Sequence, residues 1–209
     1  VQLNRLEAKD VDFKYGQRIV LESFTTTVIA GQSVALVGPS GSGKSTALAL
    51  LGGLLKPNKG TVRMTGGGVL SSGISWVPQG VNLLPFRSAT DNVAIGSYAA
   101  GRSGRIARQK ACSLLEAMGL GHRKTALARQ LSGGEAQRVA IARALAFEPS
   151  FVLADEPTGQ LDQKTTDIVV RHLFDVCDEH SVGLILATHD DSVAARCDRI
   201  CQISGEGPS

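Results

Sequence analysis

Apolar and polar residues alternate along the first part of the chain, to about residue 35, and β-branched residues such as Val28-Ile29 fall within that stretch. A period of two predicts antiparallel strands with one face covered. Val34-Ala35-Leu36-Val37 replaces the alternation with a continuous apolar run, the pattern of a strand buried on both faces. A glycine-rich stretch follows. Ser45 to Leu55 then reads as a helix, with Ala47, Leu48, Leu50, Leu51 and Leu54 apolar. Thr61 to Met64 and Ile74 to Pro78 read as short strands on either side of a Gly66-Gly67-Gly68 turn. From about 80 to 147 the period becomes helical, as in Ala111, Leu114, Leu115 and Met118. Phe151 to Ala154 and Gly183 to Ala187 are further buried strands. Between them Gln163 to Glu179 forms an amphipathic helix, with Ile168, Val169, Leu173 and Val176 on its apolar side. Strands alternating with helices predict an α/β fold with a mostly parallel sheet. An N-terminal antiparallel β subdomain precedes this sheet. An α-helical subdomain is inserted at about 80–147, leaving about 1–79 and 148–209 as the core of one 209-residue domain.

Composition changes this picture little. Apolar residues make up 43% and charged residues 20%, ample for a substantial core. A net charge of +3 gives no basic face for nucleic acid, so no nucleic-acid partner is expected. The four cysteines, Cys112, Cys177, Cys197 and Cys201, form no Cys-x-x-Cys pair and read as ordinary reduced thiols. No run reaches the ~18 apolar residues of a spanning helix, and Val1 to Arg5 does not open a signal peptide. The chain therefore reads as cytoplasmic, reaching a membrane only through another chain. The polar end, Gly205 to Ser209, is expected to fray.

The chemistry begins at Gly38-Pro39-Ser40-Gly41-Ser42-Gly43-Lys44-Ser45-Thr46. The first eight residues fit G-x-x-x-x-G-K-[ST], with a predicted strand before and a helix after. Glycines let successive N–H groups curl around an anion, the helix start adds its positive end, and Lys44 brings a full charge to the β- and γ-phosphates. The Ser45 hydroxyl is placed for Mg²⁺. Phe151 to Ala154 ends in Asp155-Glu156, at the strand end where α/β sheets bind ligands. Asp155 is suited to hold Mg²⁺. Glu156, pointing the other way, is suited to polarise an attacking water. An isolated acidic pair would as readily cap a helix; the phosphate loop is what gives this one its meaning.

Leu131-Ser132-Gly133-Gly134-Glu135-Ala136-Gln137-Arg138 opens a helix expected to run from Val139 to Phe147. Ser132 and Glu135 have capping-box spacing, and the glycines with the helix end make a second anion site. This motif resembles the signature sequence of the ATP-binding-cassette (ABC) ATPases, whose core is a P-loop NTPase fold. The resemblance covers about Leu3 to Ile203. It implies that Gln79, after Trp76-Val77-Pro78, is the glutamine linking Mg²⁺ and water to a membrane partner. Likewise Leu161-Asp162 is similar to the family's D-loop, His189 to its switch histidine on the γ-phosphate, and Tyr15 to the aromatic that stacks on adenine. It further implies that two cassettes, an expected homodimer, pack head to tail with ATP held between Lys44 of one and Ser132-Gly133-Gly134 of the other. The chain is then an ATPase on the inner face of the cell membrane, held there by membrane-spanning permease subunits.

Val152 to Asp162 and Asn82-Leu83-Leu84-Pro85 resemble the lipoprotein-release and macrolide-export branch. Two features depart from it: the short Thr65 to Gly73 stretch, and Ala128 where many relatives have proline. Val81, Leu83, Leu84, Pro85 and Phe86 read equally as a docking surface for the permease or as subdomain core. Soluble cassettes of DNA repair or translation share the motifs, but they carry a long coiled coil or a second cassette, and neither is found here. A module that binds without hydrolysing would not need Glu156 and His189.

Overall fold

The computed structural model describes residues 4–66 and 73–204. In chain order its main elements are β1 (Arg5–Tyr15), β2 (Arg18–Ile29), β3 (Ser33–Val37), α1 (Lys44–Leu51), β4 (Lys59–Thr65) and β5 (Ile74–Val77). There follow α2 (Ala89–Ala99), α3 (Gly104–Ala117), α4 (Gly133–Ala146), β6 (Phe151–Asp155) and α5 (Gln163–Glu179). The chain closes with β7 (Gly183–Thr188), α6 (Asp191–Ala194) and β8 (Arg199–Gln202). They divide into two compact units. One is drawn from Val1–Trp76, Ser150–Glu156 and Ser181–Ser209, the other from Val77–Pro149 and Pro157–His180. The predicted insert at about 80–147 is one continuous stretch; the second unit takes in Pro157–His180, and so α5, as well.

In the first unit β2, β1 and β4 form an antiparallel sheet in the order β2-β1-β4. The covered face of β1 carries Leu6 and Ala8, then Val11 and Phe13. The parity changes because β1 slips register between Ala8 and Val11, where Asp10 has φ 49°. One bulged residue keeps both halves of the apolar set on one face. The partner strand makes a matching change, from Leu21 to Phe24 and Val28, around Ser23 at φ 50°.

The second sheet has the order β5-β6-β7-β3-β8. The pairs β6–β7, β7–β3 and β3–β8 are parallel. Every residue of β3 and β7 is buried, as their continuous apolar runs require. Ala47, Leu48, Leu50 and Leu51 of α1 join Leu36, Leu153 and Ile185 in one core. This helix stops at Leu51, short of the expected Leu55, because Gly52 caps it and Gly53 turns left-handed at φ 71°. Of the predicted glycine turn only Gly66 lies within the described residues, and the tail from Gly205 lies outside them. Burial pushes the thiols of Cys177 and Cys197 up to about 12, so both stay inert; all four cysteines are free.

The second unit is helical. Asn92 of α2 is wholly buried. It accepts from the Leu84 N–H at 2.7 Å and donates to the carbonyls of Leu84 and Ser88 at 3.1 and 3.0 Å. One side chain thereby satisfies the main chain of an irregular loop.

Candidate active site

The first unit holds the phosphate loop. β3 ends at Val37, and α1 starts at Lys44 behind Gly43, its N-cap. Gly43 has φ 101°, and an added Cβ would meet Val20 Cγ1 and the Val20 carbonyl at 3.0 Å. Only glycine fits there. No side chain caps α1, so its first turn is open to an anion. Two side chains of the loop bear on what it could hold. Ser42 Oγ is buried with no hydrogen bond, an uncompensated hydroxyl. Lys44, only 6% exposed, donates from Nζ to the carbonyls of Gly38 and Pro39 at 2.8 and 3.0 Å. Those acceptors are neutral, and a phosphate oxygen is a stronger one. Pro39, Ser40, Gly41 and Ser45 are exposed, while Gly38 and Thr46 are half-buried.

At the end of β6 the Ser45 hydroxyl bonds the Asp155 carboxylate. Burial pushes the Asp155 carboxyl above its ordinary value and Glu156 adds to this, while Ser45 and Lys44 pull it down. Burial thus makes its charge costly, and a cation beside it would offset that cost. Glu156 follows with φ 43°, its N–H donating to the Ala187 carbonyl at 2.9 Å. A non-glycine residue held there costs about 1–3 kcal/mol and persists only where the surroundings impose it. Here the imposed geometry brings Glu156 Oε1 to 3.2 Å from His189 Nδ1. Strand β7 ends at Thr188, leaving the His189 side chain 64% exposed. Tyr15, at the end of β1, is 55% exposed and stands edge-on to buried Phe13, with ring centroids 4.9 Å apart. One aromatic supports the other and leaves a face free for stacking.

The second unit carries the remaining predicted residues. Gln79 is exposed, just after β5. The capping box forms: Ser132 Oγ accepts from the Glu135 N–H at 3.3 Å, and Glu135 Oε2 accepts from the Ser132 N–H at 2.9 Å. Helix α4 therefore starts at Gly133, well before the expected Val139. Glu135 also holds Arg123 Nε at 2.8 Å. Burial pushes the Glu135 carboxyl up, but the Ser132 N–H and the Arg123 guanidinium outweigh it, and the net direction is down. Asp162 caps α5, accepting from the Thr165 N–H at 3.0 Å and the Thr165 hydroxyl at 2.6 Å. Gly134 is buried directly against Thr165, where a Cβ would come within 2.3 Å of Thr165 Cγ2.

So Lys44, Ser45, Asp155, Glu156 and His189 converge in one unit, and Ser132 to Glu135 and Asp162 meet in the other. Sequence reasoning missed Arg143, which donates from Nη1 to the Asn82 carbonyl at 3.0 Å and from Nη2 to Asn82 Oδ1. Sixty-one residues separate the two, and no local pattern marks the pairing. It also left the role of Val81 to Phe86 open; Val81, Leu84 and Phe86 prove to be exposed, at 41%, 47% and 73%.

Residues 21–159 match the family described as ABC transporter. The chain belongs to the ABC transporter family. It is 43% identical, over 88% of its length and 86% of the relative's, to the lipoprotein-releasing system ATP-binding protein LolD 2 of Caulobacter vibrioides. It is 41% identical, over 88% of its length and 86% of the relative's, to the uncharacterized ABC transporter ATP-binding protein YbbA of Escherichia coli K12. Among solved structures, the dimeric bacterial ABC transporter cassette MJ0796 aligns with a TM-score of 0.79 and 35% identity, covering 95% of this chain and 94% of that one. A second structure of that cassette is a post-hydrolysis state bound to ADP and Pi. This cassette is accordingly an ATP-binding and ATP-hydrolysing subunit of a transporter, and nothing favours the DNA-repair alternative. Cassettes of this family dimerise. Among the described residues no helix is long and apolar enough to cross a membrane.

Proposed function

We propose that this cassette works as half of a head-to-tail homodimer that closes around Mg²⁺-ATP and drives a membrane-spanning permease from the cytoplasmic face of the inner membrane. The observation that carries the reading is the Glu156–His189 pair, 3.2 Å apart, in the unit that also holds the phosphate loop. The Ser45 hydroxyl and the Asp155 carboxylate suit Mg²⁺, a hard cation that keeps several waters and takes phosphate oxygens rather than an all-protein cage. Gln79 is the further ligand assigned by family resemblance. When bound, the ion neutralises charge on the transferred phosphoryl group.

The residues divide the work. Tyr15 stacks on adenine. The N–H groups from Gly38 to Thr46 wrap the phosphates, and Lys44 exchanges its carbonyl partners for phosphate oxygens. Glu156 takes a proton from the attacking water, and His189 holds the Glu156 carboxylate in place and reaches the γ-phosphate. Ser132, Gly133, Gly134 and Glu135, with Asp162, complete the site from the second copy. ATP contacted from both sides favours the closed pair, and its loss on hydrolysis releases it. The stretch at about 80–147 serves as the arm that carries the signature motif and faces the permease. The kinship to lipoprotein-releasing cassettes supports this membrane setting.

Glu156→Gln tests the scheme. Turnover should fall ~10²–10⁴-fold, while ATP with Mg²⁺ shifts the variant from monomer to dimer in analytical ultracentrifugation. A variant that hydrolyses ATP at the normal rate, or that stays monomeric with saturating ATP, defeats the proposal.

A further inference from the structure

Glutamate or glutamine three residues into a helix completes the same capping box with a serine before it. At the start of α4 the residue is Glu135, the charged choice, and its charge stands beside a turn suited to an anion. The positive end of a helix favours a carboxylate, and it favours a phosphate equally. Two anions at one helix end repel each other. The capping box occupies the N–H groups of Ser132 and Glu135. Those of Gly133 and Gly134 lie between them in the first turn and have no intrahelical partner. The Ser132 hydroxyl accepts from Glu135 and still has its own proton to donate.

The Glu135 carboxylate is held at both oxygens. Oε2 accepts from the Ser132 N–H at 2.9 Å, and Oε1 from Arg123 Nε at 2.8 Å. Arg123 ends a short 3₁₀ turn, Gly121–Arg123, and its main chain is pinned on both sides. Its N–H donates to the Leu120 carbonyl, and its carbonyl accepts from the Ala126 N–H, both at 2.9 Å. The guanidinium therefore reaches Glu135 from a fixed place. Arg138, three residues along α4, is a second cation nearby. Its Nε is buried with no partner, and no ion pair joins it to Glu135 among the described residues. With 42% of the Arg123 side chain exposed, the Arg123–Glu135 pair adds little stability. What it does change is the charge beside the turn.

We infer that Arg123 is a positioning residue for hydrolysis. It holds and neutralises the Glu135 carboxylate, so that the Gly133 and Gly134 N–H groups and the Ser132 hydroxyl stay open to a phosphate of the ATP held by the second copy. This rests on the proposed head-to-tail reading and adds the residue through which a charged signature turn accepts an anion. Without Arg123, Glu135 presents an unmatched negative charge to that phosphate. Without both side-chain charges, nothing is left to offset. The remedy for losing Arg123 is therefore to lose the charge of Glu135 as well.

The test follows dimerisation driven by Mg²⁺-ATP, by analytical ultracentrifugation of the full chain in the slowly hydrolysing Glu156→Gln background. Arg123→Gln should raise the dimer dissociation constant at least ~5-fold, and the loss should shrink in about 1 M salt. Arg123→Lys keeps a charge and should lose less. Adding Glu135→Gln to Arg123→Gln should recover most of the loss, because glutamine keeps the capping box and carries no charge. A purely structural tie gives a different pattern. Glu135→Gln would then break the same tie, and the double variant would dimerise no better than Arg123→Gln. That result, or an Arg123→Gln protein that dimerises as tightly as its parent, overturns the inference and leaves the head-to-tail reading standing. A Glu156→Gln protein that stays monomeric with saturating Mg²⁺-ATP overturns both.

Discussion

Gly134→Ala probes whether the signature turn and the turn after β6 pack as one body. The new Cβ would lie 2.3 Å from Thr165 Cγ2, more than an ångström inside the usual carbon–carbon contact of about 3.5–4.0 Å. Thr165 is not free to swing aside, since its hydroxyl and its N–H are both held by Asp162. Overpacking of this kind costs about 1–3 kcal/mol. Alanine returns up to about 1 kcal/mol through its helix propensity, so the net expectation is a loss of up to about 2 kcal/mol. Thr165→Ser removes only the offending methyl and keeps the hydroxyl on Asp162. The next atom the new Cβ meets is then Cβ of residue 165, at 3.8 Å, an ordinary contact. In that background Gly134→Ala should be neutral or slightly stabilising. Urea unfolding of the four proteins in the cycle measures the coupling, in which the propensity gain cancels, expected at about 1–3 kcal/mol. An equal effect of Gly134→Ala in both backgrounds would refute the packing argument.

Other expectations are simpler. Lys44→Ala should lower ATP affinity roughly 10–100-fold, the worth of one hydrogen bond to a charged group, as titration calorimetry would show; unaltered affinity contradicts the cradle. Removing Mg²⁺ with EDTA should abolish turnover and spare much of the binding, and hydrolysis that persists would count against the Ser45–Asp155 assignment. Glu135→Gln tests the lowered Glu135 carboxyl. A depressed acid contributes stability that is full above its unfolded value of about 4.3 and is lost as pH falls through the folded value. The variant should therefore melt below wild type near pH 7, and the gap should close below about pH 4; a pH-independent gap in Tm assigns the effect to packing instead. Asn92→Ala should speed hydrogen exchange at residues 84–88 more than in the body of α4, because Leu84 N–H loses its acceptor and the carbonyls of Leu84, Arg87 and Ser88 each lose one donor.

Much of this was legible because it is local. A continuous apolar run marks a strand with two covered faces, so β3, β6 and β7 stood where Val34 to Val37, Phe151 to Ala154 and Gly183 to Ala187 predicted. The cap of α4 was readable from Ser132 and Glu135, yet the predicted start at Val139 gave too little weight to it: a formed capping box begins the helix at the next residue. Strand β8 was not legible, since Arg199 to Gln202 is a mostly exposed edge strand and lacks the apolar run that betrays its neighbours. The two slips that keep the face of β1 and β2 apolar look, in sequence, like a broken alternation; only pairing shows that one defect answers the other.

The site divides along the same line. Residue types that are chemically obligatory, such as Lys44, Asp155 and Glu156, announce themselves by motif. What aims them does not. That Glu156 sits at φ 43° is set by the hand-over from β6 and by the Ala187 carbonyl on the neighbouring strand, 31 residues away in sequence. The same hand-over brings its carboxylate within 3.2 Å of His189, which follows β7. Adjacent parallel strands end side by side, so a residue after one strand meets a residue after the next whatever lies between them in the chain. The pairing of these two side chains is therefore a property of sheet order, and replacing either side chain would leave the order untouched. This separates the roles experimentally. His189→Ala should lower turnover and leave the Glu156 backbone where it is. Gly at position 156 should relax the backbone, at a gain in stability of up to about 1–3 kcal/mol, while abolishing hydrolysis. A Glu156→Gly variant that is no more stable than wild type in urea would show that the left-handed turn carries no strain, and that its position in the active site is a consequence of the sheet alone.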